Sequence, residues 1–445
     1  DEHVIAMFSL CFLDRFARED EAPWPQPASL SDFYGGTLRG VIQKLDYVAE
    51  LGATCVWLSP LFPTATHHGY DATDYTSVEP RLGTLEALRE LVEEAHARGI
   101  RVLLDFVANH VSHQHPYFLE ALQDPESRYR AWFKIDEAHQ PHGYRSFFNH
   151  HVMPELDTEN PQVQAYLIGA ARYWIETCDV DGFRLDYAHG PSHAFWANFW
   201  RTLKGIKPDL WCIGEVVEIP TLQRRYLGYL DGLLDFQLEE ALRRTFGYQT
   251  TDLVAWQTFT SAHEAFFPPH TRFSRPLFLD NHDTNRFLWI AGGDPDRLKL
   301  AALILYTLPN TPILYYGTEL ALSQKKSTKV LGLEASREPM PWERAAAGNE
   351  TLAYFQRLGH LRQVEPAMRS TEREALLLSP DQMVLELRDG ENALLLVVNR
   401  SAEAATISHE RLRGHVEELI SGHEVALAGE TTLAPMSGQL LRRRG

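Results

Sequence analysis

Short apolar stretches alternate with amphipathic, helix-like stretches along most of the chain. The apolar stretches lie at residues 4–13, 54–60, 100–107, 180–186, 210–216, 231–236, 275–280 and 311–317, and the clearest helix-like ones at 38–51, 85–98, 162–178 and 193–204. Within the apolar stretches, polar residues do not recur at every second position, which is typical of parallel strands buried on both faces. The repetition predicts an α/β fold, a (β/α)8 TIM barrel.

Two segments interrupt this alternation. After the third strand, about fifty residues replace a short loop, and we interpret residues 111–160 as an inserted domain, domain B. The barrel itself is predicted from residues 1–110 and 161–369. Beyond residue 369 the apolar stretches become short and alternating, with Asp-Gly, Gly and Pro between them. Residues 370–445 are therefore predicted to form a C-terminal antiparallel β-sandwich.

Composition limits the class of partner. The 445 residues include 42 Lys and Arg against 60 Asp and Glu, a net charge of −18. Because an acidic surface repels phosphate groups, we expect neither nucleic acid nor a membrane as a partner. The first apolar run follows acidic residues and is too short to span a membrane. We therefore expect a cytoplasmic protein, but the sequence begins at Asp1, so a secreted form with a removed leader stays open.

Polar residues cluster where the predicted strands end. The segments are HGYD at 68–71, DFVANH at 105–110, GFRLD at 182–186, GEVV at 214–217 and LDNHDTNRF at 279–287. Because the carboxyl ends of parallel barrel strands meet at one rim, these side chains are expected to converge there. Cleavage of a glycosidic bond with retention needs two carboxyl groups about 5 to 5.5 Å apart, and two barrel strands can hold that spacing.

Three carboxyl groups at this rim are candidates for glycoside chemistry. Asp186 is the candidate nucleophile, because Arg184 lies on the same strand face and can keep it ionised. Glu215 ends an apolar run, where burial raises the pKa of a carboxyl group, so it is the candidate general acid and base. Asp283 would stabilise the positive charge of the transition state. Further candidates for contacts with the sugar are His110 and Tyr70.

On these motifs the chain resembles the α-amylase superfamily, glycoside hydrolase family 13. DFVANH, GFRLD, GEVV and DNHDTNRF are similar to four conserved regions of that family, and MPELDTENP at 153–161 is similar to a fifth. DRF at 14–16, HGYD at 68–71 and PMPW at 339–342 favour its neopullulanase, cyclomaltodextrinase and maltogenic amylase branch. The resemblance implies that Asp186 is the nucleophile, Glu215 the acid and base, and Asp283 the stabiliser. It also implies a substrate site lined by His110, Arg184, His282 and Tyr70.

The chain departs from the family pattern at several positions. His189 and Gly190 stand where many α-amylases have Lys and His, and Val217 stands where close relatives often have Trp. The amino-terminal β-domain of the branch is expected to be lacking, so a monomer and a small homo-oligomer both stay open. We expect no required cofactor. Asn109 matches a residue that helps to bind calcium in many α-amylases, so it is a candidate ligand of a structural calcium ion.

The sequence therefore predicts a retaining α-glucan hydrolase that acts on short malto-oligosaccharides or on cyclic or branched glucans. The bonds cleaved are expected to be α-1,4, and additional cleavage of α-1,6 bonds is left as an alternative. A glucanotransferase or a trehalose-forming isomerase shares this mechanism and differs only in the acceptor of the glycosyl group. A catalytically silent relative is a further alternative, against which the presence of all three carboxyl groups argues.

Overall fold

Eight short parallel strands form the central sheet of the protein. The computed structural model describes residues 7–26, 29–136, 138–267 and 273–443. The strands are β1 (Phe8–Cys11), β2 (Cys55–Leu58), β3 (Arg101–Val107), β4 (Gly182–Asp186), β5 (Trp211–Gly214), β6 (Gly232–Leu233), β7 (Leu277–Phe278) and β8 (Pro312–Tyr315). They pair in the order β6-β5-β4-β3-β2-β1-β8-β7, and nearly all their residues are buried. Residues 4–6 of the first predicted strand lie outside the described residues.

The sheet closes into a barrel between β6 and β7. Gly232 forms a parallel bridge with Ser274, and the amide of Asp235 donates to the carbonyl of Pro276 at 2.9 Å. A Cβ atom at Gly232 would lie 2.2 Å from the carbonyl oxygen of Ser274, so only glycine allows this close approach. The closed ring of strands confirms the predicted barrel.

Helices follow most of the barrel strands and pack their apolar faces on the core. They are α1 (Leu13–Phe16), α2 (Leu38–Gln43), α3 (Leu45–Glu50), α4 (Leu85–Ala97), α5 (Pro116–Gln123), α6 (Pro161–Cys178), α7 (His193–Ile206), α8 (Pro220–Gln223), α9 (Phe236–Leu242), α10 (Leu253–Phe266), α11 (Phe287–Ile290), α12 (Pro295–Thr307), α13 (Thr328–Leu331) and α14 (Glu350–Val364). The helix predicted at 38–51 is two helices, because the chain turns at Lys44, whose amide donates to the Val41 carbonyl at 2.9 Å. In the part of the chain that the structure describes, no helix is long and apolar enough to cross a membrane.

The segment between β3 and α6 is fastened to the end of β3. His110 pairs with Glu155 across an isolated antiparallel bridge, so the beginning and the end of the segment lie side by side. Its own apolar centre is aromatic, with the Phe118 ring 5.0 Å from Phe133 and 4.9 Å from Tyr144. This arrangement holds the segment over the carboxyl ends of the strands. The predicted domain boundaries at residues 110, 160 and 369 stay a prediction.

The last part of the chain forms one antiparallel sheet. Its strands are β9 (Glu372–Leu378), β10 (Gln382–Asp389), β11 (Asn392–Asn399), β12 (Ala405–Glu418), β13 (His423–Leu433) and β14 (Ser437–Arg443), in the order β13-β12-β14-β11-β10-β9. One face, with Leu385 and Leu396, joins the core of the barrel. On the other face Val384 shares a second apolar cluster with Ile407 and Leu412 of β12. Residues of β12 therefore help to cover the second face of the sheet, and this strand shifts register between Ser408 and Arg413.

Candidate active site

The guanidinium group of Arg184 holds three carboxyl groups at the carboxyl ends of β3, β4 and β5. Its Nη1 atom donates to Asp105 Oδ1 at 2.9 Å and to Asp186 Oδ1 at 2.7 Å, and its Nη2 atom lies 2.8 Å from Glu215 Oε1. Arg184 pairs in register with Asp105 on β3, and Asp186 lies two residues further along the same face of β4. Strand geometry alone therefore brings these four side chains together.

Glu215 follows β5 directly and receives a hydrogen bond from the chain beside Asp186. The backbone amide of Tyr187 donates to Glu215 Oε2 at 3.0 Å. Tyr187 has a left-handed backbone, with φ at 40°, which is rare for a bulky residue and turns the amide towards the carboxyl group. One oxygen of Glu215 thus contacts Arg184 and the other accepts a hydrogen bond from an amide, so the two contacts fix the orientation of the carboxyl group.

The carboxyl groups around Arg184 hold protons more tightly than usual. Burial raises the pKa of Asp186 to about 7, because the charges of Asp105 and Asp283 add to the effect and outweigh Arg184. Burial likewise raises the pKa of Glu215, although Arg184 opposes it. The expected contact between Arg184 and Asp186 is present, but one cation faces three buried acids, so the pKa of Asp186 is raised in spite of it. Near neutral pH the cluster can both give and take a proton.

Asp283 lies after β7 and contacts two basic side chains of its own, those of His282 and Arg337. His282 Nε2 is 3.1 Å from Asp283 Oδ2, and Arg337 Nη2 donates to Asp283 Oδ1 at 2.9 Å. Burial opposes ionisation, but His282, Arg337 and Arg184 hold the pKa of Asp283 well below its usual range. A third of the Asp283 side chain stays exposed to the cleft. Asp283 is thus a fixed negative charge facing the space where a ligand would lie.

Tyr70 connects Asp105 of this group to His282. Its hydroxyl donates to Asp105 Oδ2 at 2.8 Å and lies 2.6 Å from His282 Nε2. The Tyr70 ring stacks on His282, with centroids 5.4 Å apart and planes 3° apart. Trp57 Nε1 also donates to Asp105 Oδ2 at 3.1 Å. The four predicted ligand-contact residues thus meet at one place, although the structure gives His110 a different set of contacts.

His110 has both ring nitrogens engaged within the protein. Its Nε2 atom faces the Tyr70 carbonyl at 3.1 Å, and its Nδ1 atom faces Asn109 Nδ2 at 3.3 Å. Burial lowers the pKa of His110 to about 4, so the ring is neutral. The Phe147 ring stacks on it with centroids 4.6 Å apart. His110 therefore orients the loop of Tyr70, and because it also lines the cleft its contact with a sugar stays a prediction.

A cleft of about 870 Å³ lies at the mouth of the barrel and is lined by the three candidate catalytic carboxyl groups, Tyr70 and His110. Arg184 and His282 lie behind this lining and are not part of it. The walls of the cleft are formed by His68, Tyr70, His110, Phe147, Phe148, His150, Met153, Asp186, Tyr187, His189, Glu215, Val217, Glu218, Asp283, Leu333, Glu334 and Arg337. Sequence reasoning missed Arg337 and Phe148, which lie on loops without strand or helix periodicity. The only local signal was their position, since Arg337 lies two residues before PMPW and Phe148 lies five residues before MPELDTENP.

Asn109, the candidate calcium ligand, lies in a small pocket beside the cleft. Lys134, Arg145 and Glu155 line the same pocket, and Arg145 forms an ion pair with Glu155. Calcium needs about six to eight oxygen ligands. Asp157 and Glu159 also line the pocket, but Glu155 is already paired with a guanidinium group and Lys134 adds a second cation to the lining. These residues therefore do not fit a calcium ion. Within the described ranges, no group of three or more His, Cys, Asp or Glu could hold a metal.

Comparison with known proteins gives consistent matches along the chain. The family model described as "Alpha amylase, catalytic domain" matches residues 10–395. The chain is 34% identical to α-amylase 2 of Dictyoglomus thermophilum, over 97% of this chain and 75% of that protein. It is 33% identical to a cyclomaltodextrinase of a Bacillus species, over 96% of this chain and 76% of that protein. The solved structure of cyclic α-maltosyl-(1→6)-maltose hydrolase from Arthrobacter globiformis superposes with a TM-score of 0.86 at 29% identity, covering 98% of both chains.

Proposed function

The chain belongs to the α-amylase family of glycoside hydrolases, and from that premise we propose that Asp186, Glu215 and Asp283 cleave α-glucosidic bonds with retention. One observation carries the proposal: a single guanidinium group, that of Arg184, contacts both Asp186 and Glu215. Two carboxyl groups on one guanidinium lie close together. Such closeness favours direct attack by a carboxylate over the wider spacing of about 6.5 to 9.5 Å that leaves room for a water.

The proposed reaction has two displacements. In the first, the Asp186 carboxylate attacks the anomeric carbon while Glu215 gives its proton to the leaving oxygen, and a covalent glycosyl ester forms. In the second, Glu215 takes a proton from water, the water oxygen attacks the same carbon, and Asp186 leaves. Positive charge develops on the sugar in both transition states. Asp283, held ionised by Arg337, would stabilise that charge more than it stabilises the neutral substrate.

We propose short malto-oligosaccharides, or cyclic or branched glucans of similar size, as substrates. The enzyme would cleave their α-1,4 bonds, and cleavage of α-1,6 bonds as well is an alternative that this proposal leaves undecided. Two observations support a small substrate. The cleft of about 870 Å³ lies within the size range of a site for one compact ligand. The inserted segment supplies Phe147 and Phe148 to one wall, and the loop after β8 supplies Arg337 to another.

Trapping of the glycosyl ester tests the proposal directly. A 5-fluoro-α-maltosyl fluoride should label the protein, and peptide mass spectrometry should place the label on Asp186. Hydrolysis of maltotriose, followed by NMR from the first minute, should release the α-anomer first. A β-anomer as the first product would contradict retention. A label on another carboxylate, with Asp186→Asn still active, would contradict the assignment of Asp186.

We also propose that the enzyme needs no calcium at Asn109, because Arg145 already neutralises Glu155 there. A calcium chelator should leave both the melting temperature and the turnover of maltotriose unchanged. Arg145→Met should lower the melting temperature, because the carboxylate of Glu155, which is only 12% exposed, would lose its ion pair. A melting temperature that falls with chelator and recovers with added calcium would contradict this part of the proposal.

A further inference from the structure

Phe148 has an exposed ring and an unfavourable backbone at the mouth of the cleft. Its side chain is 68% exposed, although it lines the cleft. Its backbone lies in the left-handed region, with φ at 47° and ψ at 34°. Bulky side chains rarely adopt this conformation. A large apolar ring in water and a left-handed backbone both reduce stability, so packing does not account for this residue.

Neighbouring aromatic rings hold Phe148 in place by their edges. Its ring centroid lies 4.5 Å from that of Phe147 and 5.4 Å from that of Tyr187, both at an interplanar angle of 64°. Phe147 is itself fixed by its stack on His110. Among the described residues, no aromatic ring stacks face to face on Phe148. The side chain is therefore oriented by the protein while its face remains open to a ligand.

The wall that contains Phe148 lies on the side of Glu215. Tyr187, in edge contact with Phe148, donates its amide to Glu215 at 3.0 Å. Val217, two residues after Glu215, also lines the cleft and is 64% exposed. The wall with Asp283 and Arg337 is polar by contrast. In the proposed mechanism Glu215 protonates the leaving oxygen, so the apolar wall faces the leaving group.

We propose that Phe148 stacks on the first sugar ring of the leaving group and thereby selects substrates by what lies beyond the cleaved bond. This inference rests on the proposed function, because Glu215 defines the leaving-group side. The CH face of a pyranose ring is apolar and suits an aromatic face. Val217 is too small to offer such a surface. The stacking surface comes instead from the inserted segment, which therefore acts as a specificity element.

Two substrates that carry the same maltosyl group but different leaving groups distinguish stacking by Phe148 from an effect on bond cleavage itself. Maltotriose carries a glucose ring as its leaving group, whereas α-maltosyl fluoride releases fluoride and has no ring there. Phe148→Ala should lower kcat/KM on maltotriose about tenfold, equivalent to about 1.4 kcal/mol. The loss on α-maltosyl fluoride should be at least about fivefold smaller. Phe148→Tyr, which keeps an aromatic face, should retain activity on maltotriose.

Two further variants serve as controls for folding. Tyr248 is 46% exposed and does not line the cleft, so Tyr248→Ala should leave both rates at the wild-type level. Phe148→Gly fits a left-handed backbone, so its melting temperature should equal or exceed that of the wild type while the loss on maltotriose persists. Equal losses on the two substrates would overturn the stacking role. If the wild-type protein cleaved neither substrate, the proposed function itself would fail.

Discussion

Arg184 is the only cation that directly contacts Asp105, Asp186 and Glu215 among the described side chains. One guanidinium group cannot neutralise three buried carboxylates, because each further negative charge raises the proton affinity of the others. Asp283 does not depend on Arg184 alone, because it forms its own ion pair with Arg337. The difference in neighbours separates the carboxyl groups into two kinds. The pKa values of Asp186 and Glu215 are both raised by burial, whereas that of Asp283 is held low and its carboxylate stays ionised.

The raised pKa of Asp186 predicts where activity is lost in acid. Burial first, then the charges of Asp105 and Asp283, raises it to about 7. The attack on the sugar needs the ionised carboxylate, so kcat/KM should fall as the pH drops through about 7, well above the usual range of an aspartate. Because Asp186 and Glu215 interact through Arg184, the profile reports the pair together. A pH–rate profile on maltotriose from pH 4 to 9 checks this, and an acid limb centred below pH 5 would contradict it.

Glu215→Gln should affect substrates according to their leaving groups. The variant keeps the shape of the side chain but has no proton to give, so natural glucans should lose about 10² to 10⁴-fold in kcat. A 4-nitrophenyl maltoside, whose leaving group needs little protonation, should lose much less in the first step. Pre-steady-state release of nitrophenol measures that step. Equal losses on the two substrates would remove Glu215 from the role of acid.

At the scale of elements, two glycines allow α14 to pack against the end of α3. A Cβ atom at Gly359 would lie 1.9 Å from the carbonyl oxygen of Leu51, and one at Gly52 would lie 2.7 Å from the backbone of Gly359. Gly359→Ala would therefore force α14 outwards, at a cost of about 1 to 3 kcal/mol. The melting temperature should fall accordingly.

The matched control for this prediction is Gly169→Ala within α6. Nothing lies within 4 Å of a Cβ atom built there. Alanine should raise the stability of that helix by up to about 1 kcal/mol, because glycine is a poor helix former. If both variants destabilised the protein equally, the contact between α3 and α14 would not be the cause.

The elements differ in how far the sequence predicts them. Buried strands such as β5 follow from unbroken apolar runs, and the residues after them, such as Glu215, then follow from barrel geometry. The break at Lys44 could not be predicted, because the amphipathic pattern continues across it. Arg337 and Phe148 could not be placed either, since a loop carries no periodicity and its path depends on tertiary contacts. The side chains on strands were thus predictable, and those brought in by loops were not.

At the scale of the whole molecule, the cleft is enclosed by segments outside the strands. The inserted segment contributes Phe148 and Met153, and the loop after β8 contributes Leu333 and Arg337. A cleft closed on both sides should favour short glucans. We expect kcat/KM per molecule on a malto-oligosaccharide of about three to six sugars to exceed that on soluble starch at least about tenfold, or about 1.4 kcal/mol. Steady-state kinetics on both check this, and comparable efficiency on starch would indicate an open groove.

The seam where β6 meets β7 makes the two halves of the barrel unequal in rigidity. β3 and β4 share five residue pairs. By contrast, β6 and the residues that lead into β7 share one bridge, that of Gly232 to Ser274, and the hydrogen bond from the Asp235 amide to the Pro276 carbonyl. Regions with few backbone hydrogen bonds open locally at lower free energy. Asp283 follows β7, so local opening between β6 and β7 would move Asp283 relative to Asp186 before the whole chain unfolds. On heating, turnover should therefore decline before circular dichroism changes, and the amides of 233 and 235 should exchange with deuterium sooner than those of β3.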